Sequence, residues 1–121
     1  MAHSILVVDD DPEIVTLLST RLTRRGYKVN TASDGTRAIE LAKRELPDLI
    51  LLDVMMPGKS GWEVARALKQ DPVTQGVKIM MVTAIGEKTN EITAPIYGAD
   101  AHIDKPFEFE NLEAKIKDLL T

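Results

Sequence analysis

The sequence contains no cysteine, which excludes disulfides, thiolate nucleophiles and cysteine-held metals. It also lacks any apolar run near the roughly 20 residues that a membrane-spanning helix needs. Long basic runs are missing too: 15 Lys plus Arg stand against 19 Asp plus Glu, a formal charge of -4. That is the wrong sign for general nucleic-acid binding, and Arg24-Arg25 reads as a helix end that satisfies its dipole. The opening Met1-Ala2-His3-Ser4 has no basic n-region and leads straight into a strand pattern, so no secretory signal is expected. With no repeat or linker in 121 residues, the expectation is one soluble domain over 1–121, with protein partners in the cytoplasm and no direct contact with nucleic acid or membrane.

What the chain does have is a series of apolar runs that end on charge. Leu49-Ile50-Leu51-Leu52 has no polar alternation, the pattern of a strand buried on both faces of a parallel sheet, and it stops on Asp53 ahead of Pro57-Gly58. Ile5-Leu6-Val7-Val8 stops in the same way on Asp9, Asp10 and Asp11. Pro12 then suits the first position of a helix with Asp11 as its N-cap, Ile14, Val15, Leu18 and Leu22 recur at helical spacing, and Gly26 ends it. Lys28 to Ala32 reads as a short strand near an edge, and Ser33-Asp34-Gly35 opens a helix that carries Ala38, Ile39, Ala42 and Leu46 inward. A third helix follows Ser60-Gly61 with Trp62, Ala65 and Leu68 on one face, closed by Asp71-Pro72. A fourth strand runs over 77–82 and ends on Thr83-Ala84. A fourth helix is predicted over 87–97, short, kinked or restarted at Pro95. A short fifth strand lies within 98–104, and a fifth helix over 109–120 turns Leu112, Ile116 and Leu119 inward. Met55, Met56, Met80 and Met81 are expected to fill core.

Five strands alternating with five helices imply an α/β fold, a doubly wound parallel sheet of order 2-1-3-4-5. In that order the sheet reverses between the first and third strands, so Asp9, Asp10 and Asp53 meet at the switch point where such sheets bind ligands, with Thr83 and Lys105 on the same rim. Three clustered carboxylates repel and call for a cation or a proton. Oxygen-only ligands favour a hard divalent ion, Mg²⁺ or Mn²⁺, with Asp10 and Asp53 as direct ligands, Asp9 more naturally through water, and the Met55 backbone carbonyl available to complete the set. A carboxylate can also attack a phosphoryl group to give an acyl phosphate. The charge on that group is spread over three oxygens, which the cation, the Lys105 ammonium and the Thr83 hydroxyl can share. Asp53 is therefore the expected phosphoacceptor.

The runs Val7-Val8-Asp9-Asp10-Asp11-Pro12, Leu51-Leu52-Asp53-Val54-Met55-Met56-Pro57-Gly58, Val82-Thr83-Ala84 and Asp104-Lys105-Pro106-Phe107, each at a strand end, make the whole chain resemble the receiver domain of two-component response regulators. That resemblance implies a phosphorylation-dependent switch rather than an enzyme with a separate substrate. Asp53 would be phosphorylated from a histidine kinase or a histidine phosphotransfer protein, Asp9 and Asp10 would hold Mg²⁺, and Thr83 and Lys105 would engage the phosphoryl group. The surface of the fourth helix, fifth strand and fifth helix would change for a downstream protein target, with room for a homodimer. It also implies that Met55 and Ile85, both apolar, flank the site and slow the loss of the group. His102 stands where the family usually has Tyr or Phe, as a half-buried ring or as a switch residue that depends on its charge. No output domain is expected within residues 1–121, which read either as a stand-alone regulator or as a receiver cut from a longer chain.

Other readings meet particular residues. Gly58-Lys59-Ser60 suggests a P-loop, but the position five residues before its Gly-Lys pair is Asp53, whose charge would repel nucleotide phosphates. A haloacid-dehalogenase-like phosphatase needs a second Asp where Met55 stands. A flavodoxin-like cofactor binder would want small hydroxyl residues or glycine where Asp9 to Asp11 lie. A pseudo-receiver that binds partners without phosphorylation remains the alternative that keeps the same fold.

Overall fold

The computed structural model describes residues 2–56, 58–83 and 99–121. In chain order these form β1 (Ser4–Val8), α1 (Pro12–Arg24), β2 (Lys28–Ala32), α2 (Gly35–Glu45), β3 (Leu49–Asp53), α3 (Gly61–Gln70), β4 (Lys78–Thr83), β5 (Ala101–Asp104) and the C-terminal helix α4 (Phe109–Leu120). All strand pairs are parallel and the sheet order is β2-β1-β3-β4-β5, as the alternation of strand and helix patterns implies. The helix expected over 87–97, with Pro95 in it, lies outside the described residues. No helix among the described residues is long and apolar enough to cross a membrane.

The central strands are apolar on both sides because helices cover both faces. Leu6, Val8, Ile50, Leu52, Ile79 and Met81 point to one face, where α2 and α3 contribute Ala38, Leu41, Ala42, Val64, Ala65 and Leu68. Ile5, Val7, Leu49, Leu51, Met80, Val82 and Ile103 point to the other, where they meet Leu18 and Leu22 of α1 and Phe109, Leu112 and Ile116 of α4. Each large aliphatic side chain fully buried in these layers stabilises the fold by about 1.5–3 kcal/mol relative to exposure. β2 at the sheet edge shows the mixed burial that its alternating sequence predicts.

Local chemistry fixes where the helices begin. Asp11 accepts a hydrogen bond from the Glu13 amide at 2.9 Å with Pro12 in the first turn, and Asp34 accepts from the Arg37 amide at 2.8 Å. Ser60 and Glu63 form a reciprocal capping box at the start of α3.

Two expectations for side chains fail, and one strand boundary shifts. Leu46 does not point inward: α2 ends at Glu45, Leu46 is a left-handed cap residue at φ 46°, and it is 51% exposed. The chain turns away before position 46 can join the helix stripe, and Leu41 fills the inward place instead. Met55 does not fill core either, since β3 ends at Asp53 and Met55 is 66% exposed on the loop beyond it. Val77 is buried but precedes β4, which starts at Lys78.

Candidate functional site

Strand register brings the site together. Val8 lies opposite Leu52, so the next residues, Asp9 and Asp53, come level at the carboxyl rim of β1 and β3. Asp53 pairs with Val82 and Thr83 with Asp104, which sets Thr83 and Lys105 on that same rim. The Asp9 amide donates to the Ala32 carbonyl at 3.2 Å, holding the end of β1 beside β2. The Asp9 carboxylate accepts from the Asp11 amide at 2.9 Å through one oxygen and from the Lys105 ammonium at 3.0 Å through the other. The same ammonium lies 3.6 Å from Asp53 Oδ1. Asp9 and Asp53 are buried, whereas Asp10 is exposed.

Behind Asp53 the backbone is held by α3. The Gly61 amide donates to the Val54 carbonyl at 2.9 Å, and a Cβ at position 61 would collide with the Asp53 carbonyl oxygen. Only glycine lets this helix start so close to the end of β3. Sequence reasoning passed over this position: a glycine directly after an N-cap serine resembles any helix start, and the close approach exists only once β3 and α3 are packed.

Charge in the cleft is unbalanced. Burial, then the charges of Asp9 and Asp10, push the Asp53 carboxyl up to about 6, although Lys105 and a hydrogen bond from the Met55 amide pull the other way. For Lys105, burial opposes the charged form. Its hydrogen bond to Asp9 and the charges of Asp53 and Asp9 outweigh that and hold the ammonium above the ordinary lysine range. Three carboxylates therefore face one ammonium. One oxygen from each of Asp9, Asp10 and Asp53 lies within 4.8 Å of the others, a hard-oxygen cluster that fits a divalent cation of the Mg²⁺ class.

The remaining candidates fall unequally. Thr83 ends β4, and its backbone is placed by its pairing with Asp104. His102 pairs with Met81 and is partly buried; Ala101 and Ile103 on either side of it pack against the α1 and α4 layer, so His102 faces the opposite side of the sheet. Trp62 packs, partly buried, against the α2 and α3 layer. Ile85 lies outside the described residues.

The model of the response regulator receiver domain family matches residues 5–117. The response regulator PleD of Caulobacter vibrioides is 43% identical over 119 residues, which make up 98% of this chain and 26% of that protein. The solved structure of chemotaxis protein CheY4 of Vibrio cholerae matches with a TM-score of 0.93 at 30% identity, covering 99% of this chain and 100% of that one. The receiver domain of sensor histidine kinase PA1611 from Pseudomonas aeruginosa PAO1, with a magnesium ion coordinated in its active-site cleft, matches with a TM-score of 0.89 at 26% identity over 99% of this chain and 98% of that one. The chain spans from about a quarter to about half the length of the curated relatives it matches.

Proposed function

From the premise that this chain belongs to the response regulator receiver family of two-component systems, we propose that it is a signalling switch whose phosphoacceptor is Asp53. The observation that carries this reading is the cluster of three carboxylates at the switch point of the sheet, two of which, Asp9 and Asp53, are bridged by the Lys105 ammonium. An oxygen of Asp53 attacks the phosphorus of a phosphohistidine on a histidine kinase or phosphotransfer protein. The P–N bond breaks, its electron pair stays on the imidazole, and an acyl phosphate forms on Asp53. Asp10 and Asp53 directly, Asp9 through water and the Met55 carbonyl would hold a divalent cation such as Mg²⁺, which would supply positive charge for the phosphoryl oxygens.

The protein's own groups do the rest. Asp9 engages both its oxygens with Lys105 and the Asp11 amide, which suits it to indirect contact with a cation. Lys105 starts closer to Asp9 than to Asp53 and moves toward the phosphoryl oxygens as charge arrives there. The Thr83 hydroxyl donates to another of those oxygens. A phosphoryl group adds roughly -1.5 to -2 charges and three acceptor oxygens, enough to draw both partners inward. His102, on the strand that Lys105 directly follows, passes the change to the surface formed by β5, α4 and the predicted fourth helix, where a downstream protein or a second copy binds. Residues 1–121 act as the receiver unit in the cytoplasm. Its chemistry is confined to gaining and losing its own phosphoryl group.

The test is transfer from a phosphohistidine-bearing phosphotransfer protein, followed by amide exchange. Native chain should take the label, Asp53→Asn should not, and exchange in β5 and α4 should change only in the labelled protein. Equal labelling of the Asn variant, or identical exchange before and after labelling, would overturn the assignment.

A further inference from the structure

Sulfur in this chain is confined to methionine, and among the described methionines only one is accessible. Met56 is 8% exposed and Met80 and Met81 are fully buried, whereas Met55 is 66% exposed. Met55 is also the residue whose amide hydrogen-bonds the Asp53 carboxylate, so the exposed thioether belongs to a residue directly against the acceptor. We propose that Met55 is an oxidation site that couples peroxide exposure to the lifetime of the phosphoryl group on Asp53, an inference that rests on the phosphoacceptor reading above.

The chemistry needs a two-electron oxidant of the peroxide class. The thioether sulfur attacks one peroxide oxygen, the O–O bond breaks, and the products are methionine sulfoxide and water. A thioether is a weak hydrogen-bond acceptor, whereas the sulfoxide oxygen is strongly polarised. Beside an acyl phosphate that oxygen accepts a hydrogen bond from an incoming water. The water oxygen then attacks phosphorus, the bond from phosphorus to the Asp53 oxygen breaks, and inorganic phosphate leaves with the released proton passing to solvent. Burial of Met56, Met80 and Met81 leaves position 55 as the accessible sulfur among the described residues, because oxidation follows access.

The experiment treats native chain in Mg²⁺ with limiting hydrogen peroxide and divides it. One half is mapped by peptide fragmentation that separates Met55 from Met56. The other is labelled with a small phosphodonor, and loss of the phosphoryl group is followed by intact mass. Met55 should oxidise well before Met56, Met80 and Met81. The half-life should shorten by roughly 2- to 10-fold, the effect of about one added hydrogen bond, and methionine sulfoxide reductase should restore it. Met55→Leu, compared with its own untreated half-life, should not respond to peroxide. Oxidation spread evenly over Met55, Met56, Met80 and Met81, an unchanged half-life in the oxidised native chain, or an equal response in Met55→Leu would overturn the proposal. Failure of the untreated chain to label would instead overturn the phosphoacceptor assignment, and the oxidation map would still stand or fall on its own.

Discussion

At the scale of single residues, the Asp53 carboxylate is held in a condition that opposes folding. An Asp53 pKa of about 6 in the native state, against 3.8 for an ordinary aspartate, means that the folded protein binds this proton more tightly than the unfolded chain does. The stability this group lends is therefore greatest below pH 4 and is lost as pH rises through about 6. In a chelator-containing buffer near pH 8, Asp53→Asn is expected to stabilise the protein by on the order of 2 kcal/mol. The difference should shrink toward pH 4, as read by urea midpoints at the two pH values. A pH-independent gap would show that the strain lies elsewhere.

Lys105 is the counterpart. Removing its ammonium strips the cluster of its one described cation, so Lys105→Ala should still bind Mg²⁺ in a calorimetric titration while its rate of phosphoryl uptake falls by roughly 10²-fold. The part of this site carried by residue type was open to sequence reasoning: acidic strand ends, a lysine before proline, a hydroxyl after an apolar run. That Lys105 sits nearer Asp9 than Asp53 was not, because it follows from the register of β1, β3 and β5 rather than from any local pattern.

At the scale of elements, the contact between α3 and the end of β3 sets the position of Asp53. Gly61→Ala is expected to cost about 1–3 kcal/mol through overpacking and to weaken Mg²⁺ binding as well, because the displaced backbone is that of Asp53 itself. Ser60→Ala, which removes the cap but leaves the glycine, should cost about 1 kcal/mol with Mg²⁺ affinity retained. Thermal melts paired with metal titrations separate the two. Elements whose boundaries are set by capping chemistry, such as α1 after Asp11-Pro12, were legible in the sequence. Those whose ends depend on tertiary packing were not: the apolar spacing of α2 continues through Leu46, and nothing local signals the left-handed turn that lifts it into solvent.

At the scale of the whole molecule, the doubly wound sheet gathers residues from position 9 to position 105 into one cleft, and the fold should gain stability when the excess negative charge there is matched. Mg²⁺ should raise the melting temperature of the native chain in a concentration-dependent way, with a gain of about 2.7 kcal/mol at 100 times the dissociation constant. Asp10→Asn should lose most of that gain. The architecture itself was readable because runs such as Leu49 to Leu52 admit few environments other than a sheet covered on both faces.

The most direct test is intact mass after incubation with a small phosphodonor, with Mg²⁺ or with chelator, on the native chain and on Asp53→Asn. The account predicts a mass gain of one phosphoryl group for the native chain in Mg²⁺ alone, and none for the variant in either buffer. A native chain that gains nothing in Mg²⁺, or a variant that labels equally, would contradict it and leave a receiver fold that works by binding alone.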